Sequence, residues 1–446
     1  MTGRIAAILV ALACMTIGAG AAPAATFAAD SFTLPNGLQV AVIPNHRAPI
    51  VSQMVWYKVG GADEPRGVSG IAHFLEHLMF RGTKNVAPGE FSRIVADNGG
   101  HENAFTTHDE TAFYQDVAAD RLETVMRLEA DRMANLDIKD ETLLPERQVI
   151  IEERHMRVDN NPMGLFRQAL DAALYLNHPY RIPVIGWPQE MSVLTSAEAR
   201  DFYRTWYAPN NAVLVISGDV DPTRVKALAE KYFGPIPGHP VPKRARASEP
   251  PRVASETLTM KSPRVTEPSW LRAYLAPSYT SGAREQAYAL QVLAEVLGGG
   301  DTSRLYKELV VDKKLALNAA AYYDPTSLDL ASFGLYATVA KGVAVEDMQA
   351  AMVRLVGETL RDGVAPAEVA RAEKRMQAES LYAQDSLDGL GESVGAALAA
   401  GRTVKDVQEW PERIGAVTVD QVNAALRAVV RDDKSVTGIL LPEPTS

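Results

Sequence analysis

Between Gly70 and Thr83 the chain reads Gly-Ile-Ala-His-Phe-Leu-Glu-His-Leu-Met-Phe-Arg-Gly-Thr. Its apolar residues fall at the three- and four-residue spacing of one helix face, and glycines bracket the run, so the pattern predicts a helix over Gly70 to Phe80. His73 and His77 stand at i and i+4, which sends both imidazoles off the same side one turn apart. Nitrogens so placed can reach one ion at about 2.0–2.1 Å, and Glu76 projects from nearly the same side, toward a water on that ion. His-x-x-Glu-His is the inverted form of the better-known zinc-protease pattern. Read alone, it leaves open a blander alternative: two unrelated histidines hydrogen-bonded on a half-buried helix.

A tetrahedral catalytic site needs a third protein ligand and one open position. The next chemically suggestive segment is a helical pattern from about Leu144 to Val158, with Pro145 read as a first-turn proline. Glu146 and Glu153 are seven residues apart on it, two turns along one face, whereas Glu152 points about 100° away. By themselves Glu146, Glu152 and Glu153 read as a solvated acidic face.

Around these helices the chain alternates strands and helices. Phe32 to Ile43 holds the Asn36-Gly37 turn dipeptide between apolar stretches, a hairpin signal, and Ile50 to Val59 reads as a second strand. Helical patterns cover Pro88 to Asn98, Arg121 to Asn135 and Asp221 to Tyr232, and Ala212 to Ser217 reads as a buried strand. A Pro-rich stretch running from Pro235 to Pro251 is the best linker. Beyond it the pattern starts again: strands at Glu256 to Met260 and Ser269 to Leu275, then a glycine-terminated helix within Gly282 to Gly300. Sliding Leu293–Leu297 under Leu75–Met79 keeps the apolar positions in register, but Gln291, Ala294 and Glu295 fall opposite His73, Glu76 and His77. One half carries chemistry that its sister lacks.

The 446 residues, 47% hydrophobic and 22% charged, have globular composition and suffice for two or three cores. With 45 basic and 55 acidic side chains and no basic run, the chain is a poor nucleic-acid binder. Arg4, the apolar run Ile5 to Ile17 and the small residues Gly18 to Ala22 predict a signal peptide over residues 1–22, cut near Ala21 or Ala22, with Ala24 or Ala25 as alternatives. Its h-region is too short to span a bilayer, and no later segment is long and apolar enough to do so. The one cysteine, Cys14, would leave with it, which suits an oxidising compartment. The expectation is an exported, periplasmic protein without a membrane span in its mature chain.

Gly70 to Thr83 closely resembles the pitrilysin, insulysin and mitochondrial processing peptidase family of zinc metallopeptidases. So do Gly100-His-Glu-Asn-Ala-Phe-Thr106, Pro145-Glu-Arg-Gln-Val-Ile-Ile-Glu-Glu153 and the end of the chain from Trp410 through Glu443. The resemblance implies an α+β fold of two homologous α/β-roll domains, each a mostly antiparallel sheet with helices packed on one side. The corresponding boundaries are 23–236 for a zinc-binding domain, 237–252 for the linker and 253–446 for a domain without a metal motif. It further implies one zinc ion held by His73, His77 and Glu153, Glu76 as general base, and Glu146 as a carboxylate orienting His73 or His77. Asn103, Ala104, Phe105 and Thr106 match the family's substrate-binding edge strand, to which an extended peptide adds through main-chain hydrogen bonds. His101 and His108 nearby read as surface or pocket-lining side chains.

One departure bears on partners. Where the family's second half carries an Arg and a Tyr seven residues apart that grip substrate and stabilise the oxyanion, this chain aligns Val310 and Leu317. Neither can donate a hydrogen bond, and a lost oxyanion donor costs about 10²–10³ in rate. The chain thus resembles the zinc-bearing subunit of the family's short bacterial heterodimers. The implied reading is an endopeptidase acting on unfolded peptides inside a clam-shell chamber, with a homologous subunit that lacks the zinc motif supplying the Arg and Tyr. The alternative is a non-catalytic scaffold or peptide-binding subunit of the same fold.

Overall fold

A computed structural model describes residues 27–383 and 386–443; the expected signal peptide and Cys14 lie outside the described residues. Asn36 and Gly37, the latter at φ 91°, turn β1 (Asp30–Thr33) back onto β2 (Gln39–Pro44) as an antiparallel hairpin. β3 (Ile50–Tyr57), β4 (His101–Thr106), β5 (Thr111–Ala118) and β6 (Ala212–Gly218) complete a six-stranded sheet, ordered β1-β2-β6-β3-β5-β4. Only the β2–β6 contact is parallel, and β4 forms an open edge.

The second half repeats the pattern. β7 (Glu256–Ser262), β8 (Ser269–Ala276), β9 (Ala316–Tyr323), β10 (Ala331–Val339) and β11 (Ser435–Pro442) pair in the order β7-β11-β8-β10-β9. Again one pair is parallel, here the outermost, β7–β11, so that this sheet repeats the order of the first without a counterpart of β1, and β9 is the other edge. This is the α+β architecture of two mostly antiparallel sheets with helices.

In the first half, α1 (Ile71–Leu78), α2 (Glu90–Asp97), α3 (Leu122–Asn135) and α4 (Asp140–Arg154) lie on one side of the sheet around Phe74, Leu75, Phe113 and Leu128. β3 and β6 are buried almost throughout, because their other face is covered too. The cover comes from the far half: helix Leu387–Ala399 packs Leu390 and Val394 against Ile43, Met54, Trp56 and Val213. Gly395 permits the approach, since a Cβ there would sit 2.1 Å from the Trp56 indole nitrogen. The exchange is reciprocal. α5 (Pro162–Leu174) lays Phe166, Leu170 and Leu174 on the second sheet, and Gly438 of β11 makes room for Phe166. Each half therefore lends a helix to the other.

One sequence expectation needs revision. α4 begins at Asp140, so Pro145 is its sixth residue and lies inside the helix. Asp140 and Glu141 favour the earlier start by placing negative charge at the helix N-terminus. The Pro-rich stretch carries no regular structure, yet it is not slack. Arg246 reaches Asp63, Asp109 and Asp329 at 3.0, 2.5 and 3.1 Å, and Glu249 accepts the backbone N–H groups of Leu176, Asn177 and His178. No helix among the described residues is long and apolar enough to cross a membrane.

Candidate metal centre

The helix that carries the histidines has no capping side chain of its own. Its N-cap is Gly70, at φ 87°, where a Cβ would meet the Ile185 carbonyl at 2.7 Å. The orphan N–H groups are satisfied from a distance: Glu64 accepts from Gly70 and Ala72 at 2.9 Å each, and Glu190 accepts from Ser69 at 2.9 Å. The start of α1 is thereby pinned, and with it the direction in which His73 and His77 leave the helix.

α4 packs across α1 and brings Glu153 up to the histidines. Oε2 of Glu153 lies 3.7 Å from Nε2 of His73 and 3.2 Å from Nε2 of His77. One ligand atom from each of the three residues falls within 4.8 Å of the others, the one such His/Cys/Asp/Glu group among the described residues. Glu146, one face-repeat earlier on α4, meets Nδ1 of His77 at 2.9 Å, which answers the question of which histidine it touches. With that N–H given to Glu146, Nε2 of His77 is the nitrogen left to face a metal. Arg81 holds the far side of Glu146 at 2.5 Å, and Arg157 holds Oε1 of Glu153 at 2.8 Å, leaving Oε2 turned inward.

Charge is distributed unevenly across the cluster. Burial, with the neighbouring His77, lowers His73 to a pKa of about 4. Burial also disfavours charge on His77, but Glu146 and Glu153 overcome it and raise that imidazole to about 9. Glu153 and Glu146 are depressed: burial opposes this, and His77 outweighs it with help from the arginines and His73. Burial raises Glu76.

These residues fit a zinc ion on the structure's own terms. Oε2 of Glu153 and Nδ1 of His73 are buried without a hydrogen-bond partner. An uncompensated buried carboxylate costs more than the roughly 2–7 kcal/mol of a neutral polar group, and this oxygen points at two imidazole nitrogens. Two imidazoles, one carboxylate and an adjacent free carboxylate are the donor set of a catalytic rather than a structural site.

The Asn103–Thr106 segment runs along the open edge of the sheet beside α1, but its side chains divide. Ala104 packs into the helix-side core, Phe105 sits edge-on to Trp56 at 5.3 Å on the opposite face, and the Asn103 Oδ1 accepts the Ala104 N–H. Thr106 donates from Oγ1 to Oε2 of Glu76 at 2.5 Å. The outward side of this strand is a sheet edge whose Ala104 N–H is covered by the strand's own Asn103. His101 is exposed, and His108 pairs with the Ile182 carbonyl at 2.8 Å.

In the second half Val310 is half-buried on a π-helical turn and Leu317 is 56% exposed on β9. Of the polar side chains nearby, Arg304 pairs with Glu368 and Tyr323 donates to the Pro277 carbonyl, whereas Tyr322 is exposed on β9. Sequence reading missed Arg81, Arg157, Glu64 and the Thr106–Glu76 bond. Arg81 and Arg157 carried a signal, each lying four residues after a candidate ligand on the same helical side. The Glu64 contact carried none.

Residues 39–186 match the family model described as insulinase, peptidase family M16, and residues 194–376 match the one described as peptidase M16 inactive domain. A zinc protease of Helicobacter pylori, PqqE, is 29% identical over 422 residues, covering 93% of each chain. An uncharacterized zinc protease of Mycobacterium tuberculosis is 31% identical over 416 residues, 91% of each. Among solved structures, a protease from Helicobacter pylori superposes with a TM-score of 0.88 at 28% identity, over 93% of this chain and 100% of the other.

Proposed function

We propose, on the premise that this chain belongs to the insulinase family of peptidases, M16, that it is an exported zinc endopeptidase acting on unfolded peptides. His73, His77 and Glu153 would hold the ion. The observation that carries this reading is the unpartnered Oε2 of Glu153 facing two imidazoles, with a second carboxylate, Glu76, alongside. Bound there, zinc supplies a water acidified toward neutral pH and a Lewis acid for the scissile carbonyl.

The chain's own residues do the rest. Glu76, raised by burial, takes the proton of the attacking water and returns it to the leaving amine. Glu146 keeps His77 in the tautomer that presents Nε2. An extended peptide adds to the outer edge of β4, from Asn103 to Thr106, through main-chain hydrogen bonds, which accepts many sequences and requires an unfolded substrate.

The oxyanion has no donor from Val310 or Leu317. We therefore read the chain as the zinc-bearing subunit of a heterodimer in which a homologous subunit without the metal motif supplies an Arg/Tyr pair, the two closing a chamber. The same two residues favour a second reading, a non-catalytic scaffold or peptide-binding subunit. Cleavage of a mixture of unstructured peptides, by the mature protein with and without a candidate partner, decides between them. The peptidase reading requires cleavage that vanishes in Glu76→Gln at equal zinc occupancy. Zinc-loaded protein that stays inert with every homologous partner would leave the scaffold.

A further inference from the structure

We propose that Thr106 is a positioning residue for Glu76, coupling the edge strand that would receive the peptide to the base that would act on it. The inference rests on the peptidase reading and assigns Thr106 a different task from the rest of its strand. A carboxylate only accepts, so at 2.5 Å the Thr106 hydroxyl must be the donor, and it engages Oε2 of Glu76. The carboxylate plane is thus fixed at one oxygen, and Oε1 is the atom left to meet a proton.

The surroundings make this bond consequential. Glu76 is buried, and burial disfavours its charge, so a hydrogen bond to the charged form counts for more than it would in water. Thr106 is the last residue of β4, and its register partner on β5 is the fully buried Thr111, which anchors the strand end by donating to the Val59 carbonyl at 3.1 Å. The hydroxyl is therefore held by the sheet rather than by a mobile loop. A peptide adding to β4 would bear on the same strand end that orients the base, so substrate seating and base alignment share one backbone element.

The test compares the full mature protein with Thr106→Val, which keeps β-branching and volume, and Thr106→Ser, which keeps the hydroxyl. Zinc content should be equal in all three. For Thr106→Val, kcat on an unstructured peptide should fall about tenfold to a hundredfold with KM changed less than about twofold, and Thr106→Ser should recover most of the loss. A parallel rise in KM, or a Val variant as fast as wild type, would overturn the proposal. Crystal structures of the zinc-loaded wild type and Val variant give a readout independent of turnover. One Glu76 rotamer is expected in the first and a displaced or split one in the second; an unmoved Glu76 overturns the inference. Absence of turnover in every form, with Glu76 displaced only in the Val variant, would instead count against the peptidase reading alone.

Discussion

Zinc uptake by the metal-free protein should expel one proton, and the structure says from where. At pH 6 His73, with a pKa of about 4, is already neutral, and Glu153 is ionised. His77, raised to about 9 by Glu146 and Glu153 against the effect of burial, is almost wholly protonated. A metal needs its Nε2 lone pair, so that proton must leave. The His77 proton alone should therefore make apparent zinc affinity rise about tenfold per pH unit from roughly pH 5, its contribution levelling off above pH 9. The site at pH 7 would bind about a hundredfold more weakly than at its plateau, roughly 2.7 kcal/mol. Isothermal titration of zinc into metal-free Glu76→Gln protein, in buffers of differing ionisation enthalpy, counts the protons directly. The background substitution removes the raised carboxyl of Glu76 from the count, and pH 6 keeps a zinc-acidified water out of it. The expected value is about one proton per zinc at pH 6. Adding Glu146→Gln, which removes the largest influence raising His77, should end the His77 contribution to the pH dependence of zinc affinity at a lower pH. A count near zero at pH 6 would mean that His77 is neutral in the metal-free site, and the charge assignment would be wrong.

Two further outcomes test the frame around the centre. Arg246→Met removes the closest cation from two buried carboxylates where the Pro-rich strap crosses the two halves, leaving Asp63 with Arg244 at 3.6 Å and Asp109 with neutral donors such as the Tyr180 hydroxyl, so unfolding free energy from urea titration should drop by about 3–5 kcal/mol; an unchanged urea midpoint would show that this cluster does not tie the halves together. Gly395→Ala forces a methyl into the Trp56 indole, costing about 1–3 kcal/mol by overpacking and loosening helix Leu387–Ala399. Hydrogen exchange should then speed up in that helix and along β3, and unaltered protection there would contradict the exchanged-helix packing.

The parts of this fold that were legible in advance are those written in local spacing. The β1–β2 hairpin follows from Asn36-Gly37 and α1 from its periodicity and bracketing glycines, whereas the seven-residue spacing of Glu146 and Glu153 put them on one face without saying that it points inward. What escaped was set by approaches between distant segments. Glu146 could face either histidine until the crossing of α4 over α1 was known, and the strap draws its anchors from three separate places around Asp63, Asp109 and Asp329. Helix Leu387–Ala399 carries Gly391 and Gly395 on its buried side, a pattern that shows only that something approaches closely, not that the surface belongs to the opposite half.

The second half shows why topology alone does not make a metal centre. Helix Ala287–Gly298 follows β8 as α1 follows β3, and it lies against the edge strand β9 as α1 lies against β4. Its residues opposite His73 and His77 are Gln291 and Glu295, and both are already satisfied. Gln291 donates to the Tyr279 hydroxyl at 2.6 Å and accepts from the Trp410 indole at 3.2 Å, while Glu295 faces Arg375 at 3.3 Å, itself bonded to Glu379 at 2.8 Å. In the first half the carboxylate Glu153, brought in by the crossing helix α4, has its outer oxygen held by Arg157 and turns its inner one to the Nε2 atoms of His73 and His77 at 3.7 and 3.2 Å. Two halves with related strand order thus differ in what their equivalent helix meets: one closes its polar groups internally, and the other gathers a carboxylate oxygen and two imidazole nitrogens around one point.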